Sequence, residues 1–314
     1  MRCLFEPRLV NDAFGDPGLY VDFRDERRAL PFDLGDIAAL PPRKLMRLSQ
    51  VFVTHTHMDH FAGFDALLRV ILGRKAGLTL FGGPGFLAQV EHKLRAYTWN
   101  VVDRYAELVL DVREVGTDGH GQRARFSSRS RFIREPAGPY DPAGDVLHDE
   151  ATFRVRGRFV DHDTPCLAYA IEEKAHVNVA RDRLAALGVS TGAWLRELKH
   201  AMTRQVDELR SLVLDVVAGQ RIGYVTDLRY TEANLQALSQ LLVGVDLLFI
   251  ESVFLDEDAD HALRKNHLTA GQAGTIARAL GAGEVRPFHF SPRYQGREAA
   301  LVAQLRAAWG GRPA

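Results

Sequence analysis

The segment VFVTHTHMDHFAGFDALL, residues 51–68, places several metal-ligand side chains between an apolar run and an amphipathic, helix-like run. Three histidines and an aspartate, His55, His57, Asp59 and His60, lie within six positions. Because successive side chains of an extended segment alternate between faces, His55 and His57 project the same way and can bind one metal ion. Asp59 and His60 follow the turn into the predicted helix, so they can serve a second ion nearby. Imidazole nitrogen and carboxylate oxygen are both good zinc ligands.

Two simpler interpretations of this motif remain open from these residues alone. The segment can be a histidine-rich surface turn, or it can hold a single structural metal ion. Four ligand-type residues at one strand–helix junction favour the two-metal interpretation. Cys3 and Cys166 are the only cysteines, so a four-cysteine zinc site and a disulfide framework are both excluded.

The rest of the chain alternates strand-like and helix-like runs around this junction. The first fifty residues indicate short strands separated by turns, and strand–helix alternation returns from residue 221 onward. A Gly-, Ser- and Arg-rich stretch at about 116–150 predicts a long loop or a loose strand pair. The segment at about 176–218 is polar and predicted to be helical. This order indicates a sheet core with helices on the outside.

Three further potential ligands follow predicted strands in the second half of the chain. They are His162 in VDHDTPCLAY, Asp227 in GYVTDL and His289 in RPFHFSPRY. Taken singly, each has an ordinary alternative, since a lone histidine is more often a core or surface residue and Asp227 can cap the next helix. Their shared position at strand ends favours a common role.

The His-x-His-x-Asp-His motif resembles that of the metallo-β-lactamase fold, and the later segments resemble its ribonuclease Z branch, which processes tRNA 3′ ends. The segments HFSPRY (289–294) and NHLTAGQAG (266–274) are similar to two motifs of that family, and LAALGVSTGAWLRELKHA (184–201) is similar to its tRNA-clamping arm. The resemblance extends from about residue 20 to 295. It implies one α/β domain over 1–314, an αββα sandwich of two mixed sheets with outer helices, and an inserted helical arm at about 172–220.

The resemblance also implies two zinc ions, with Mn²⁺ or another divalent cation as the alternative. By this resemblance His55, His57 and His162 hold one ion, Asp59, His60 and His289 hold the other, and Asp227 bridges them. Two such ions about 3.5–4 Å apart can lower the pKa of a shared water and stabilise charge on a phosphodiester.

Four residues acquire further roles from the same resemblance. Asp59 orients the attacking water, and His267 protonates the leaving oxygen unless it is only a histidine preceding a helix N-cap. Arg293 pairs with a substrate phosphate or forms a surface salt bridge. Glu251 orients a histidine, or it is a plain acid at a helix start.

Possible partners follow from composition and from the same family. Lysine plus arginine and aspartate plus glutamate balance at 40 each, so overall charge indicates neither nucleic acid nor membrane. The first residues lack the apolar run of a signal peptide, and no stretch approaches the about 18 apolar residues of a membrane span. We therefore expect a cytoplasmic protein without a membrane partner, and by resemblance a homodimer that binds RNA, with precursor tRNA as the candidate.

The stretch RARFSSRSRFIR, residues 123–134, interleaves arginines with Phe126 and Phe132. This pattern suits single-stranded RNA, whose phosphates pair with arginine and whose bases stack on aromatic rings. It equally suits a solvated strand pair with both rings in the core.

Three departures from the ribonuclease Z pattern keep other functions open. Thr226-Asp227-Leu228 replaces the usual Gly-Asp-Thr, Met58 replaces a typical glycine, and Thr191-Gly192-Ala193 stands where the arm has a Gly-Pro pair. A small-molecule phosphodiesterase or esterase on the same fold would use the same metals without an RNA-clamping arm. A non-catalytic metal-binding protein is the third class, and the full ligand set argues against it.

Overall fold

Two mixed β-sheets pack face to face, and helices cover the outer face of each sheet. The structure, a computed structural model, describes residues 4–179, 186 and 214–311. The arrangement confirms the predicted α/β sandwich of αββα type. No helix in these residues is long and apolar enough to cross a membrane.

Within the described residues, the first sheet has eight strands in the order β1 to β8. Its strands are Phe5–Leu9 (β1), Leu19–Phe23 (β2), Ala29–Phe32 (β3), Gln50–Phe52 (β4), Gly77–Gly82 (β5), Val109–Val115 (β6), Gly121–Ser127 (β7) and Arg134–Pro139 (β8). The four central strands, β3 to β6, run parallel. The helices of this half are Pro42–Leu45 (α1), Met58–Phe61 (α2), Phe64–Ile71 (α3) and Phe86–Arg95 (α4). The apolar positions of α3 recur at helical spacing and are buried against the sheet.

The second sheet of the described chain has six strands in the order β16-β15-β14-β11-β10-β9. Its strands are Val146–Asp149 (β9), Phe153–Asp161 (β10), Pro165–Glu173 (β11), Arg221–Val225 (β14), Leu247–Glu251 (β15) and Glu284–Phe288 (β16). The helices of this half are Glu232–Leu242 (α5), Ala259–Lys265 (α6), Ala270–Ala279 (α7) and Glu298–Trp309 (α8). Because β14, β15 and β16 run parallel, their carboxyl ends meet at one edge of the sheet.

The segment predicted as a helical arm at about 172–220 begins and ends as a two-stranded ribbon. His176–Val179 (β12) pairs antiparallel with Leu214–Val217 (β13), and Val179 lies opposite Leu214. The helical prediction is therefore wrong at both ends, where each strand is stabilised by a partner distant in sequence. Residues 180–213, apart from Ala186, lie outside the described residues, and the rest of the arm prediction falls there.

The stretch at 116–150 resolves into strands β7, β8 and β9. Phe126 is 0% exposed and Phe132 is 2% exposed, and both belong to the apolar core beneath the first sheet. Arg123 instead pairs with Asp111 at 2.6 Å. Buried rings cannot stack on bases, so the strand-pair interpretation holds for these two phenylalanines and the RNA-stacking interpretation is wrong.

The core between the sheets fixes the chain immediately before the histidine motif. Phe32, Phe52 and Phe81 of adjacent strands stack in a row, with ring centroids 5.0 Å and 4.7 Å apart. Tyr169 of β11 packs against the first two rings from the opposite sheet. Its hydroxyl donates to the carbonyl of Val53 at 2.7 Å. The sheets are therefore joined two residues before the first histidine ligand.

A buried carboxylate on β11 holds the arginine-rich face of β10. Glu172 is 5% exposed and accepts hydrogen bonds from Arg154 Nε at 2.6 Å and from Arg156 Nη1 at 3.0 Å. Arg156 also donates to both oxygens of Asp145. Burial raises the pKa of Glu172, but the bonds from the two arginines outweigh it and hold that pKa below its usual range.

Glu172→Gln is expected to lower the free energy of unfolding near neutral pH by about 1–3 kcal/mol, because an amide cannot match a carboxylate between charged donors. A carboxylate with a lowered folded pKa stabilises above its unfolded pKa of about 4.3, and that stability is lost as pH falls through the folded value. The difference between variant and wild type should therefore shrink in acid. Urea unfolding followed by circular dichroism at several pH values measures it.

Glu135→Gln, at an exposed carboxylate of β8, is the matched control and should change stability by less than about 0.5 kcal/mol. A Glu172→Gln deficit that is as large in acid as at neutral pH would contradict the ionic origin of this stability.

Candidate metal centre

Seven side chains from the ends of strands converge at one edge of the sandwich. They are the residues predicted as ligands: His55, His57, Asp59, His60, His162, Asp227 and His289. The first four follow β4 and enter α2, His162 follows β10, Asp227 follows β14 and His289 follows β16. Parallel strands bring their carboxyl ends to a shared edge, so residues far apart in sequence become neighbours.

The seven side chains form two adjacent groups, one of four residues and one of three. In the first group, His55, His57, His162 and Asp227 each offer a ligand atom within 4.8 Å of the others. Asp59, His60 and His289 form the second group by the same measure.

Asp227 lies between the two groups. Its Oδ2 is 3.4 Å from His162 Nε2 and 3.4 Å from His60 Nε2, and its Oδ1 is 3.4 Å from His289 Nε2. Both oxygens are therefore directed at imidazole nitrogens, as a bridging carboxylate requires. A third group within the same limit joins Asp227 to His267 and His289.

The donor set fits divalent metal cations. His55 Nε2 and His60 Nε2 are buried, and neither has a hydrogen-bond partner among the described residues. A buried polar atom without a partner costs about 1–3 kcal/mol, so such atoms call for a ligand. Nitrogen and carboxylate oxygen donors without sulfur suit zinc and also suit manganese.

Asp33, which was not predicted from the sequence, orients histidines of the candidate centre through hydrogen bonds. It is 1% exposed and stands directly after β3 with φ +62°. Its carboxylate accepts from the Thr54 amide at 2.7 Å and hydroxyl at 3.0 Å, and from Tyr224 at 3.1 Å. His60 Nδ1 lies 2.9 Å away, so Nδ1–H donates to Asp33 and Nε2 is presented to the site.

Two other ligand histidines are oriented through Nδ1 in the same way. His55 Nδ1 lies 3.1 Å from the hydroxyl of Thr54, which itself donates to Asp33. His162 Nδ1 donates to the carbonyl of Asn266 at 2.7 Å. In both rings Nε2 therefore faces Asp227. These bonds fix the tautomer that a metal ligand needs.

Charge and burial set the protonation of the central groups. Burial, reinforced by the neighbouring His60, lowers the pKa of His55 to about 2. Burial also lowers the pKa of His60, but the carboxylates of Asp227 and Asp33 override it and raise that pKa well above its usual value. For Asp227 burial raises the pKa, yet His60 and His289 hold it well below the usual range. The carboxylate at the centre is therefore ionised.

His267 lies beside the centre and is held by Glu251. Its ring centroid is 4.8 Å from that of His162 and 5.6 Å from that of His289. Its Nδ1 is 3.1 Å from Glu251 Oε2. Burial lowers the pKa of His267, but the Glu251 carboxylate outweighs it and raises that pKa to about 9.

Glu251 is a fixed part of this arrangement. It is 0% exposed and also accepts from the amides of Leu228 and Leu268, at 2.9 Å and 3.2 Å. It is the last residue of β15 and not the first of a helix, and its carboxylate contacts His267. The orienting role stays a prediction.

Arg293 makes surface contacts in this structure. Its Nη1 is 3.8 Å from Asp258, its Nη2 is 3.2 Å from His261 Nε2, and its guanidinium lies over the ring of Phe254. The salt bridge is the alternative stated for this residue, and its side chain is 43% exposed. The phosphate contact stays a prediction.

Known proteins are similar in sequence to this chain over most of its length. The ribonuclease Z of Deinococcus radiodurans is 33% identical over 279 residues, which cover 86% of this chain and 83% of that protein. The ribonuclease Z of Bradyrhizobium diazoefficiens is 29% identical over 259 residues, covering 80% and 75%. A family model described as "Beta-lactamase superfamily domain" matches residues 168–290.

Solved structures share the fold. The metallo-beta-lactamase fold protein YhfI from Bacillus subtilis aligns with a TM-score of 0.58 at 16% identity, over 98% of this chain and 93% of that chain. The short form of human tRNase Z aligns with a TM-score of 0.57 at 17% identity, over 91% and 93%. At these identities the similarity concerns the architecture alone.

Asp33→Asn is expected to weaken metal binding by about 10–100-fold, because the amide cannot accept from Thr54, Tyr224 and His60 together. Asparagine tolerates positive φ, so the variant keeps the backbone and changes only the hydrogen bonds. Competition with a chromogenic chelator, after metal removal, measures the affinity. Asp118→Asn, in the exposed turn between β6 and β7, is the control. Equal affinity of Asp33→Asn and wild type would show that Asp33 does not orient the ligands.

Proposed function

Because this chain belongs to the ribonuclease Z family, we propose that it is a two-zinc hydrolase that cleaves phosphodiester bonds in RNA, with precursor tRNA as its substrate. The resemblance predicted from the motifs is confirmed by the Deinococcus relative. The observation that carries the proposal is the double ligand group around Asp227, whose donors lie at the ends of strands from both sheets.

His55, His57 and His162 would hold one zinc ion, and Asp59, His60 and His289 the other. Asp227 would bridge them, since its carboxylate lies 3.4 Å from His162 of the first group and 3.4 Å from His60 and His289 of the second. When bound, two zinc ions supply a water of lowered pKa and positive charge for the phosphate oxygens.

Asp59 is the ligand best placed to guide the attacking water. Its side chain is 40% exposed, whereas those of His60 and Asp227 are 0% and 3% exposed. Its Oδ2 lies 3.5 Å from His60 Nε2 and 3.6 Å from His289 Nε2, at the solvent side of the second group. A carboxylate there can orient a water and accept its proton.

His267 would donate the proton that the leaving oxygen needs. Glu251 occupies its Nδ1, so Nε2 is the atom left for the substrate. Glu251 would act as a positioning residue that keeps the imidazole in this orientation. The alternative, that His267 is a metal ligand, is raised by its group with Asp227 and His289.

We further propose that residues 180–213 contribute to RNA binding, that the protein is a homodimer, and that it acts in the cytoplasm. Ribbon β12–β13 supports the first point, because it leads the chain out of the second sheet and back again. Size-exclusion chromatography with light scattering measures the oligomeric state.

His267→Ala is expected to slow diesters with alkoxide leaving groups about 10²–10⁴-fold, which is the usual contribution of a general acid. Aryl diesters should be slowed far less, because an aryl oxide departs without a proton. The measurement is kcat/KM on a methyl and a 4-nitrophenyl diester. His120→Ala, at an exposed histidine, should change neither. Equal losses on both substrates, together with a lower zinc content, would assign His267 to metal binding.

The substrate is tested with a shortened chain. Because Val179 and Leu214 are paired, replacing residues 180–213 by a short Gly/Ser turn leaves β12 and β13 able to form a hairpin. The shortened protein should lose cleavage of precursor tRNA and keep hydrolysis of an aryl diester, because binding energy remote from the reacting phosphate is not used by a minimal substrate.

Elemental analysis of the full-length protein should find two zinc ions per chain. One ion per chain after zinc reconstitution would contradict the binuclear proposal. If the intact, zinc-loaded protein neither binds nor cuts precursor tRNA but hydrolyses small diesters well, the RNA proposal is wrong and the small-molecule alternative holds.

A further inference from the structure

A small cavity borders His267, and none of the seven predicted ligands lines it. Its volume is about 190 Å³, and His267 forms part of its wall. The other lining residues come from the loop after β14 and from α6 and α7; the ones that matter here are Arg229, Tyr230, Leu263, Asn266 and Gln272. Pockets for drug-sized ligands measure about 300–1,000 Å³, so this cavity suits a single ring system.

Two apolar side chains at this cavity are open to solvent. Tyr230 is 38% exposed and Leu263 is 70% exposed, although both line the same pocket as the half-buried His267. Large apolar groups left exposed around a concave site next to reactive groups indicate a surface that a ligand covers. An aromatic ring and an aliphatic chain are the usual contacts of a flat, unsaturated ring.

Arg229, which lines the cavity, does not provide a phosphate site. Arg229 donates through Nε to Asn266 at 2.7 Å, through Nη1 to Asp161 at 3.0 Å and through Nη2 to Asp163 at 2.8 Å. Two carboxylates therefore balance its charge, and its guanidinium is held rigid. The cavity accordingly favours an uncharged group over an anion.

One hydrogen-bonding group of defined orientation faces this space. Gln272 accepts from the Thr269 amide through Oε1 at 3.0 Å, as the second half of the capping box of α7. This bond settles the amide orientation and leaves the Nε2 amino group as the donor that Gln272 can offer at the cavity. An uncharged ring with an acceptor on its edge is the matching ligand.

We propose that this cavity binds the base of the nucleotide whose oxygen leaves, with Tyr230 and Leu263 as specificity-determining contacts. The inference rests on the proposed function, because it places the leaving oxygen at His267. The base of that nucleotide is then the group nearest the cavity. The scissile phosphate, which is bonded to the leaving oxygen, is directed at the metal ligands. Stacking of one base on an aromatic side chain changes binding by about 5–100-fold.

The first test uses precursor tRNA in which that nucleotide, identified by product mapping, carries an abasic ribose. In wild-type protein the missing base should lower kcat/KM by about 5–100-fold. In Tyr230→Ala and Leu263→Ala the abasic ribose should lower kcat/KM much less, because the contact with the base is already lost. Tyr230→Phe should behave as wild type. Controls are Tyr105→Ala and Val243→Ala, at side chains 54% and 56% exposed outside the cavity.

Equal abasic penalties in wild type, Tyr230→Ala and Leu263→Ala would overturn the inference while leaving RNA cleavage in place. Absence of any RNA cleavage would overturn the proposed function instead. Whether the cavity binds a base is then tested by a second measurement that does not require catalysis.

That measurement is the fluorescence of a 2-aminopurine dinucleotide added to metal-free protein. Stacking on Tyr230 should quench the fluorescence with wild type and Tyr230→Phe, and the quenching should vanish with Tyr230→Ala. Because Leu263 is mostly exposed, Leu263→Ala should fold normally, and thermal unfolding checks both alanine variants. Quenching that is absent in wild type, or unchanged in Tyr230→Ala, would show that no base stacks there.

Discussion

The geometry of the candidate metal centre depends on the hydrogen bonds that the carboxylate of Asp33 accepts. Asp33 follows a strand of the first sheet, yet it accepts a hydrogen bond from Tyr224, which belongs to the second sheet. The same two oxygens hold Thr54 and His60. One buried carboxylate thus ties both sheets to the segment that carries four of the predicted ligands. A buried charge is tolerated only when it is fully hydrogen-bonded. Of the partners of Asp33, Thr54 also contacts His55, and His60 is itself a predicted ligand.

The sequence predicted which side chains converge at this site, because their positions follow from a simple rule. His162, Asp227 and His289 each come directly after a run that reads as a strand, and the carboxyl ends of such strands meet at one edge. Asp33 also follows a strand, but its importance depends on Tyr224, which is 191 positions away. Nothing local distinguishes it from an ordinary turn aspartate, so the contact appears only in the folded chain.

The same limit explains the elements that were predicted wrongly or left open. Residues 176–179 and 214–217 read as parts of a polar helical segment, whereas each is a strand because the other pairs with it. The phenylalanines of RARFSSRSRFIR fit two opposite environments until the packing of the first sheet buries them. Periodicity reports which face is apolar, but it does not report what covers that face. Glu251 illustrates the point, since only the folded chain shows it buried at a strand end with its carboxylate 3.1 Å from His267 Nδ1.

Asn266 shows how little freedom some surface positions of this chain have. It ends α6 at φ +62°, its carbonyl orients His162, its side chain binds Arg229, and His267 is the next residue. Glycine would keep the backbone and lose the side-chain bond, while aspartate would keep an acceptor; most other residues would strain the turn. Among homologous chains that keep this centre, drift at this position should therefore be confined to a few small residues. A half-buried helix end thus carries the kind of evolutionary constraint usually expected of a buried ligand.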